Sequence, residues 1–188
     1  MALRRTIMLA ALKRIIVLAA ITVGALVALV GYAGARGAGD NHAAYDFIAG
    51  EEPLEGPNVA AAPNGDTVAL EGNGSFKAGP DGTATGGGTF TIENPSGQTI
   101  ASGEWSVTRV MTFVSYGNGV PQGLPPNFFG GKVKLKVSLG DVGRGVLTIN
   151  CELGKIPPGQ LYEGVKLVLG HGWNFTKSPS GQTLFIRH

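Results

Sequence analysis

Side chains that commonly do chemistry are scattered singly along this chain of 188 residues. No histidine lies at metal-site spacing from another histidine, a cysteine or a carboxylate, and no serine has the flanking residues of a nucleophile elbow. The aspartates that follow or precede glycine stand alone in turns, whereas a calcium loop needs several oxygen ligands at close spacing. We therefore predict no catalytic residue, no metal site and no cofactor. The residues considered are His42, His171, His188, Asp66, Asp81 and Asp141.

One arginine is placed by its strand pattern where a charge would be buried. Strict alternation over residues 99–116 puts Arg109 on the same face as Trp105 and Phe113. A buried guanidinium needs a carboxylate partner, because an unpaired charge away from water is costly. If Arg109 pointed into a cavity, it would indicate ligand binding, or catalysis if Glu104 and Tyr116 converged on it.

The segment 117–131, called the long loop below, exceeds an ordinary hairpin connection and carries apolar side chains. Three interpretations are open: it plugs one end of the domain, it forms a lid over a ligand cavity, or it exposes a patch for self-association. The predicted ligand-binding residues are Trp105, Arg109, Phe113, Leu124, Phe128 and Phe129.

Lys132, Lys134 and Lys136 form a ladder on one face of a predicted strand. This pattern is typical of a solvated sheet face, where lysines also protect strand edges from mispairing. A basic stripe for an anionic polymer or a lipid headgroup is the alternative. The net charge of the chain is only +2, and several cations lie in the N-terminal segment. We therefore predict no nucleic-acid partner.

Cys151 is the only cysteine, so no intramolecular disulfide can form. The surrounding segment alternates and places Cys151 on the apolar face with Leu147 and Ile149. We predict a buried and unreactive thiol.

Short alternating segments separated by Gly, Pro, Asn and Asp turns dominate the chain after residue 66. The predicted strands cover residues 67–76, 83–92, 99–116, 132–139, 145–153, 163–169 and 183–186, with a shorter one at 173–176. The glycines at 86–88 indicate a bend or a close backbone approach near Trp105. Because the connections are short and no helical crossover is present, residues 67–188 predict an all-β, antiparallel up-and-down β-barrel of about eight strands. A two-sheet β-sandwich is the alternative.

Residues 1–35 predict a signal peptide or an N-terminal transmembrane anchor. Four cations precede the uncharged run 15–33 and only Arg36 closely follows it, so the positive-inside bias keeps the N-terminus in the cytoplasm. The run is long for a signal peptide and adequate for an apolar spanning helix, so cleavage after Ala35 and retention both stay open. Residues 36–66 predict a flexible Gly/Ala/Pro-rich tether, with one short ordered piece around residues 45–48. The C-terminal domain is expected outside the cytoplasm, either secreted or anchored to the membrane through residues 15–33.

Three short stretches carry a resemblance to other proteins: 86–90, 101–105 and 124–127, the last followed by Gly130 and Gly131. They make most of residues 58–188 similar to small exported bacterial β-rich proteins of unassigned function. Their motifs are glycines, turns and one tryptophan. The resemblance implies a compact β domain outside the cell and supplies no catalytic residue.

The sequence favours a non-enzymatic module that binds a small apolar ligand between its strands. One alternative is a structural or self-assembling cell-surface protein, and another is a barrel enzyme such as a cyclase or isomerase that works by cavity shape. The packing of the domain interior distinguishes these hypotheses. A cavity of several hundred Å³ would favour binding or catalysis, and a tightly packed interior would favour a structural role.

Overall fold

A computed structural model describes residues 42–170 and 172–188. The predictions for the export segment, for residues 36–41 of the tether and for His171 fall outside these ranges. Within them, no helix has the length and apolar character needed to cross a bilayer.

The described residues form eleven β-strands and no α-helix, with short 3₁₀ turns at Val120–Gln122 and Gly140–Val142. The strands are β1 (Ala44–Ala49), β2 (Asn58–Ala61), β3 (Thr67–Lys77), β4 (Ala84–Glu93), β5 (Thr99–Asn118), β6 (Phe128–Leu139), β7 (Gly143–Cys151), β8 (Gly164–Leu169), β9 (Asn174–Phe175), β10 (Lys177–Ser180) and β11 (Thr183–Arg187). The all-β prediction is confirmed, because alternation of side chains is a local signal that needs no knowledge of the partner strand.

From β2 to β9, strands that are neighbours in sequence pair antiparallel, so the connections are hairpin-like, as predicted. The first and last strands depart from sequential order. β1 pairs with β3 and β11, and β11 also pairs with β6. The chain is thus a meander whose two terminal strands lie between β3 and β6.

The pairings return to their starting point through six strands, in the order β3, β4, β5, β6, β11 and β1. β3 and β6 each serve two partners along one side. β3 pairs with β2 through residues 67–70 and with β1 through 72–77. β6 pairs with β11 through 128–129 and with β7 through 131–139. The strands outside the ring therefore branch from β3 and β6, and β8 packs against β2 and β10.

Aromatic side chains fill the interior of the ring. Tyr45 lies with its ring centre 5.4 Å from that of Phe76 and 4.7 Å from that of Phe113. Phe129 joins at 5.8 Å from Tyr45, and Phe185 lies 5.4 Å from Phe113. Since these rings come from five of the six strands, they form a packed core between them.

Glycines on β3 and β4 make room for two further rings. Trp105 is buried, with its ring centre 6.4 Å from that of Phe47. A Cβ on Gly72 would lie 2.8 Å from the indole, and one on Gly74 would lie 2.8 Å from the Phe47 ring. A Cβ at any of residues 86–88 would overlap the backbone of a neighbouring strand. The close backbone approach predicted there is confirmed.

From residue 42 to residue 66, the prediction of a flexible tether is wrong, although the ordered piece expected around residues 45–48 lies within β1. β1 and β2 lie in this range, and Tyr45 and Phe47 have no exposed surface. β1 pairs on both sides and buries alternate residues. The abundance of small residues weakened the periodic signal, but the pairing partners of β1, which sequence does not reveal, supply its stability.

The prediction that Arg109 shares the face of Trp105 and Phe113 is also wrong, because the Arg109 side chain is exposed. The β5–β6 register shifts between Val107 and Arg109 and again between Val110 and Thr112. Each bulge adds one residue to β5 and reverses the alternation. Val110 therefore faces the core, while Met111 is 44% exposed. Arg109 is not the buried charge that a barrel enzyme would require.

Candidate functional site

Three of the six predicted binding residues belong to the core. Trp105 donates its indole N–H to a main-chain carbonyl of β3 at 2.9 Å. Phe113 packs among the core aromatic rings, and Phe129 is buried with the Arg187 guanidinium 5.3 Å from its ring centre. Arg109 is exposed on β5. The structure therefore does not bring the six residues together as one site.

The remaining two, Leu124 and Phe128, line an apolar groove of about 290 Å³. Its wall is completed by Leu54, Leu153 and Leu184, and its polar part is formed by Cys151, Glu152, Glu163, Gln182 and Thr183. Four regions of the chain meet there: the β1–β2 connection, the long loop, the segment from β7 to β8, and the start of β11. The volume lies near the lower end of the range for small-molecule sites, roughly 300–1,000 Å³.

Main-chain hydrogen bonds give the long loop its shape. Gly119 donates its N–H to the Phe128 carbonyl at 2.8 Å, and Leu124 donates to the Gly119 carbonyl at 3.1 Å. Gly123 ends the 3₁₀ turn in the left-handed conformation, with φ of 78°. Phe128 donates to the Pro125 carbonyl at 3.0 Å. These bonds fold the loop back on itself and fix the two positions that supply Leu124 and Phe128 to the groove.

Glu163 is the central polar group of the groove. Its Oε1 accepts hydrogen bonds from the Thr183 main-chain N–H at 2.8 Å and from the Thr183 hydroxyl at 2.5 Å. Its Oε2 accepts from the Glu152 main-chain N–H at 2.5 Å. A carboxylate offers about four lone-pair positions, so one position on Oε2 stays available to a hydrogen-bond donor.

Burial raises the pKa of the Glu163 carboxyl above its ordinary value, although hydrogen bonds from Thr183 and Glu152 work in the opposite direction. Burial likewise raises the pKa of the Cys151 thiol to about 12, and the negative charge of Glu163 adds to this shift. Because the thiolate is the nucleophilic form, Cys151 is protonated and unreactive at neutral pH. The buried location predicted for it is confirmed.

A second set of hydrogen bonds fixes the chain segments that build the groove. The fully buried Asn150 accepts a hydrogen bond from the Tyr116 hydroxyl at 2.8 Å and donates to the main-chain carbonyl of Tyr162. The Asn150 carbonyl lies 2.8 Å from the Thr183 hydroxyl. Burial raises the pKa of Tyr116 to about 12, with the Tyr162 hydroxyl as the next contribution. Tyr116 is thus a neutral donor that fixes Asn150, and Asn150 positions the segment carrying Glu163.

Sequence reasoning found Leu124 and Phe128 and missed Leu54, Glu163 and Thr183. Leu54 fell inside the predicted tether, so it received no role. Glu163 and Thr183 were placed at the starts of two predicted strands, but alternation does not show which strand ends meet. The sequence did contain one signal for Glu163: it is an acidic residue directly before an apolar strand, where water has restricted access to its carboxylate.

Among the described residues, no three His, Cys, Asp or Glu side chains are grouped closely enough to hold a metal ion. The chain matches no protein-family model, no curated protein and no solved structure at a significant level. The resemblance to small exported bacterial β-rich proteins therefore stays a prediction, and a function has to be argued from the groove itself.

Proposed function

We propose that this domain binds a small apolar ligand in the groove lined by Leu124 and Phe128, with Glu163 as its polar anchor. The proposal rests on five apolar side chains that meet the half-buried carboxylate of Glu163, which keeps an unused acceptor position. Binding sites for small molecules combine a mostly apolar lining with few polar groups that fix orientation. The ligand class is therefore a small apolar molecule with a hydroxyl or N–H group.

In this proposal the closed ring of six strands is a β-barrel that serves as a rigid scaffold. Closure leaves the ring strands without free edges. Aromatic rings fill the interior, which leaves no cavity for a ligand between the described strands of the ring and is the outcome associated above with a structural role. The proposal therefore places the ligand in the outer groove, not at the barrel centre. Six of the ten groove residues lie in connections between strands, so recognition depends largely on residues outside the ring.

The location of the domain is also part of the proposal. The uncharged run 15–33, with four cations before it, supports export with the N-terminus in the cytoplasm. The ligand would then be met outside the cytoplasm, by a domain that is either secreted or held at the membrane.

The groove can be tested with N-phenyl-1-naphthylamine, an apolar fluorescent probe that carries a single N–H. The probe is excited directly and titrated with the full chain and with Leu124→Trp, which fills the groove. Val120→Trp is the matched control, because Val120 lies in the same loop, is 51% exposed and does not line the groove. We expect Leu124→Trp to weaken binding at least about tenfold, since one lost buried side-chain contact is worth about 1.4 kcal/mol or more.

The control variant should bind the probe as the unmodified chain does, including any binding to residues 15–33, which both variants share. Equal affinities for Leu124→Trp and Val120→Trp, with both proteins folded by far-ultraviolet circular dichroism, would show that the groove does not bind apolar molecules.

A further inference from the structure

Six cationic side chains lie on the outer face of four adjacent strands, and we call this surface the basic face. It consists of Arg109 on β5, Lys132, Lys134 and Lys136 on β6, Arg144 on β7 and Lys166 on β8. The pairing registers place them together: Arg109 is opposite Lys136, Arg144 is opposite Ser138, and both Lys134 and Lys166 are opposite Thr148. The lysine ladder seen in the sequence is therefore one row of a wider array.

Charge is divided between two parts of the sequence. Residues 42–104 contain nine Asp or Glu and one Lys, whereas residues 105–188 contain three Asp or Glu and nine Lys or Arg. A near-neutral total conceals this division, and charge asymmetry of this kind points to an interaction with a charged partner. The second region supplies the whole basic face.

The cations of the basic face have no carboxylate partner among the described residues. Lys132 donates to the Gln160 side chain, and Lys166 lies 3.9 Å from the centre of the Tyr162 ring. Like charges directly opposite each other, as at Arg109 and Lys136, destabilise a sheet. An anion bound from outside would offset the repulsion between these like charges.

Protection of a sheet edge does not explain the lysines. Over residues 131–139, β6 lies between β5 and β7 and has no free edge. The lysines therefore lie on a solvated sheet face, as the sequence predicts, but they do not protect a strand edge.

Apolar side chains are interspersed with these cations. A groove of about 600 Å³ runs beside Lys136 and Arg144, with Val146 and Val168 in its lining. Leu161 is 75% exposed and is flanked by Gln160 and Tyr162, whose side chains contact Lys132 and Lys166. An exposed leucine beside cations matches a membrane interface, where phosphates lie above an apolar layer.

We propose that the basic face docks the domain on a bilayer containing anionic phospholipids, with its cations at the lipid phosphates and Leu161 in the interfacial layer. The array of cations across four adjacent strands presents several positive charges to a plane of phosphates. The aliphatic side chains in the same surface have no role in contacting the phosphates of a nucleic acid, so a lipid surface fits better. The docking surface shares no lining residue with the ligand groove.

The test uses the full chain with Leu161→Cys labelled by an environment-sensitive nitrobenzoxadiazole dye. The chain is reconstituted in vesicles of phosphatidylcholine alone or mixed with phosphatidylglycerol. Cys151 is 1% exposed and stays unlabelled in the folded protein. We expect blue-shifted, brighter emission only in the anionic vesicles, and loss of that change at high salt. A dye on Ser96→Cys, in an exposed turn, should not respond.

Variants then assign the effect to the basic face. Each cation near an anionic surface is worth about fivefold in affinity, so Lys134→Gln with Lys136→Gln should weaken docking about 25-fold. The matched control is Lys77→Gln with Lys177→Gln, which removes two exposed lysines elsewhere and should leave docking unchanged.

Three results would overturn the proposal. The first is equal emission in both vesicle types, and the second is equal effects of the two double variants. The third is binding of duplex DNA that the basic-face variant abolishes, with no dye response to anionic vesicles, which would make nucleic acid the partner.

Discussion

A close backbone contact between β3 and β4 makes a quantitative prediction for Gly74→Ala. Gly74 pairs with Phe47 on one side and with Gly86 on the other. A Cβ at this position would overlap the carbonyl oxygen of Thr85 and lie 2.7 Å from the Gly86 Cα and 2.8 Å from the Phe47 ring. Two of these three atoms belong to the backbone, so no change of side-chain rotamer can relieve the overlap.

The expected loss in the free energy of unfolding is the difference between two opposing contributions. Overpacking of a well-ordered site costs about 3 kcal/mol when the backbone has to move. The lower entropy of alanine in the unfolded chain returns about 0.5–1 kcal/mol. The free energy of unfolding should therefore fall by about 2–2.5 kcal/mol, which corresponds to about 4–10 °C in Tm for a chain of this size.

Urea and thermal unfolding of the full chain, followed by the fluorescence of the buried Trp105, measure this difference. Gly170→Ala is the matched control. The nearest atom to its new Cβ is the Arg144 carbonyl oxygen at 3.6 Å, an ordinary contact. That variant should be unchanged or more stable by up to about 1 kcal/mol. If Gly74→Ala is as stable as Gly170→Ala, the explanation of the glycines as space for the Phe47 and Trp105 rings is refuted.

Two further predictions concern the groove. Folding raises the pKa of Glu163 above its ordinary value of 4.5, so its contribution to stability is fully present below about pH 4.5 and is lost as the pH rises through the folded-state pKa. The difference in unfolding free energy between the wild-type chain and Glu163→Gln should therefore change with pH across this window in favour of the variant, and a pH-independent difference in urea unfolding would contradict the assignment. Cys151, with its pKa of about 12, should not react with Ellman's reagent at pH 8 until denaturant is added. Rapid labelling of the native chain would show that the thiol is accessible.

Alternation of side chains was sufficient to locate most of the sheet. The strands that begin at Thr67, Thr99 and Thr183 were predicted at their first residues, because each presents a polar–apolar pattern of period two. β2 was missed, and only a short ordered piece at residues 45–48 was expected where β1 lies, since the small residues of this region give a weak pattern. The burial of these two strands depends on pairing with β3, β10 and β11.

In the candidate site, too, features of one contiguous segment could be predicted, whereas contacts between distant segments could not. Leu124 and Phe128 stood out because a long loop rarely carries several large apolar side chains. Glu163 and Leu184 enter the groove only through the meeting of separate chain segments. Arg109 was misplaced because the bulge between Val107 and Arg109 reverses its face, and a bulge leaves no reliable mark in one strand's own sequence.

The all-β class, the approximate strands, the buried state of Cys151 and the division of acidic and basic residues along the chain follow from the amino-acid sequence alone. Each of these depends on the composition or periodicity of a contiguous segment. Three features become visible only in the folded protein: the pairings close a ring filled by aromatic rings, Arg109 joins five other cations on one face, and Leu124 meets Glu163. Those features depend on register, bulges and the pairing of β1 and β11 between β3 and β6, which are contacts between residues far apart in the chain.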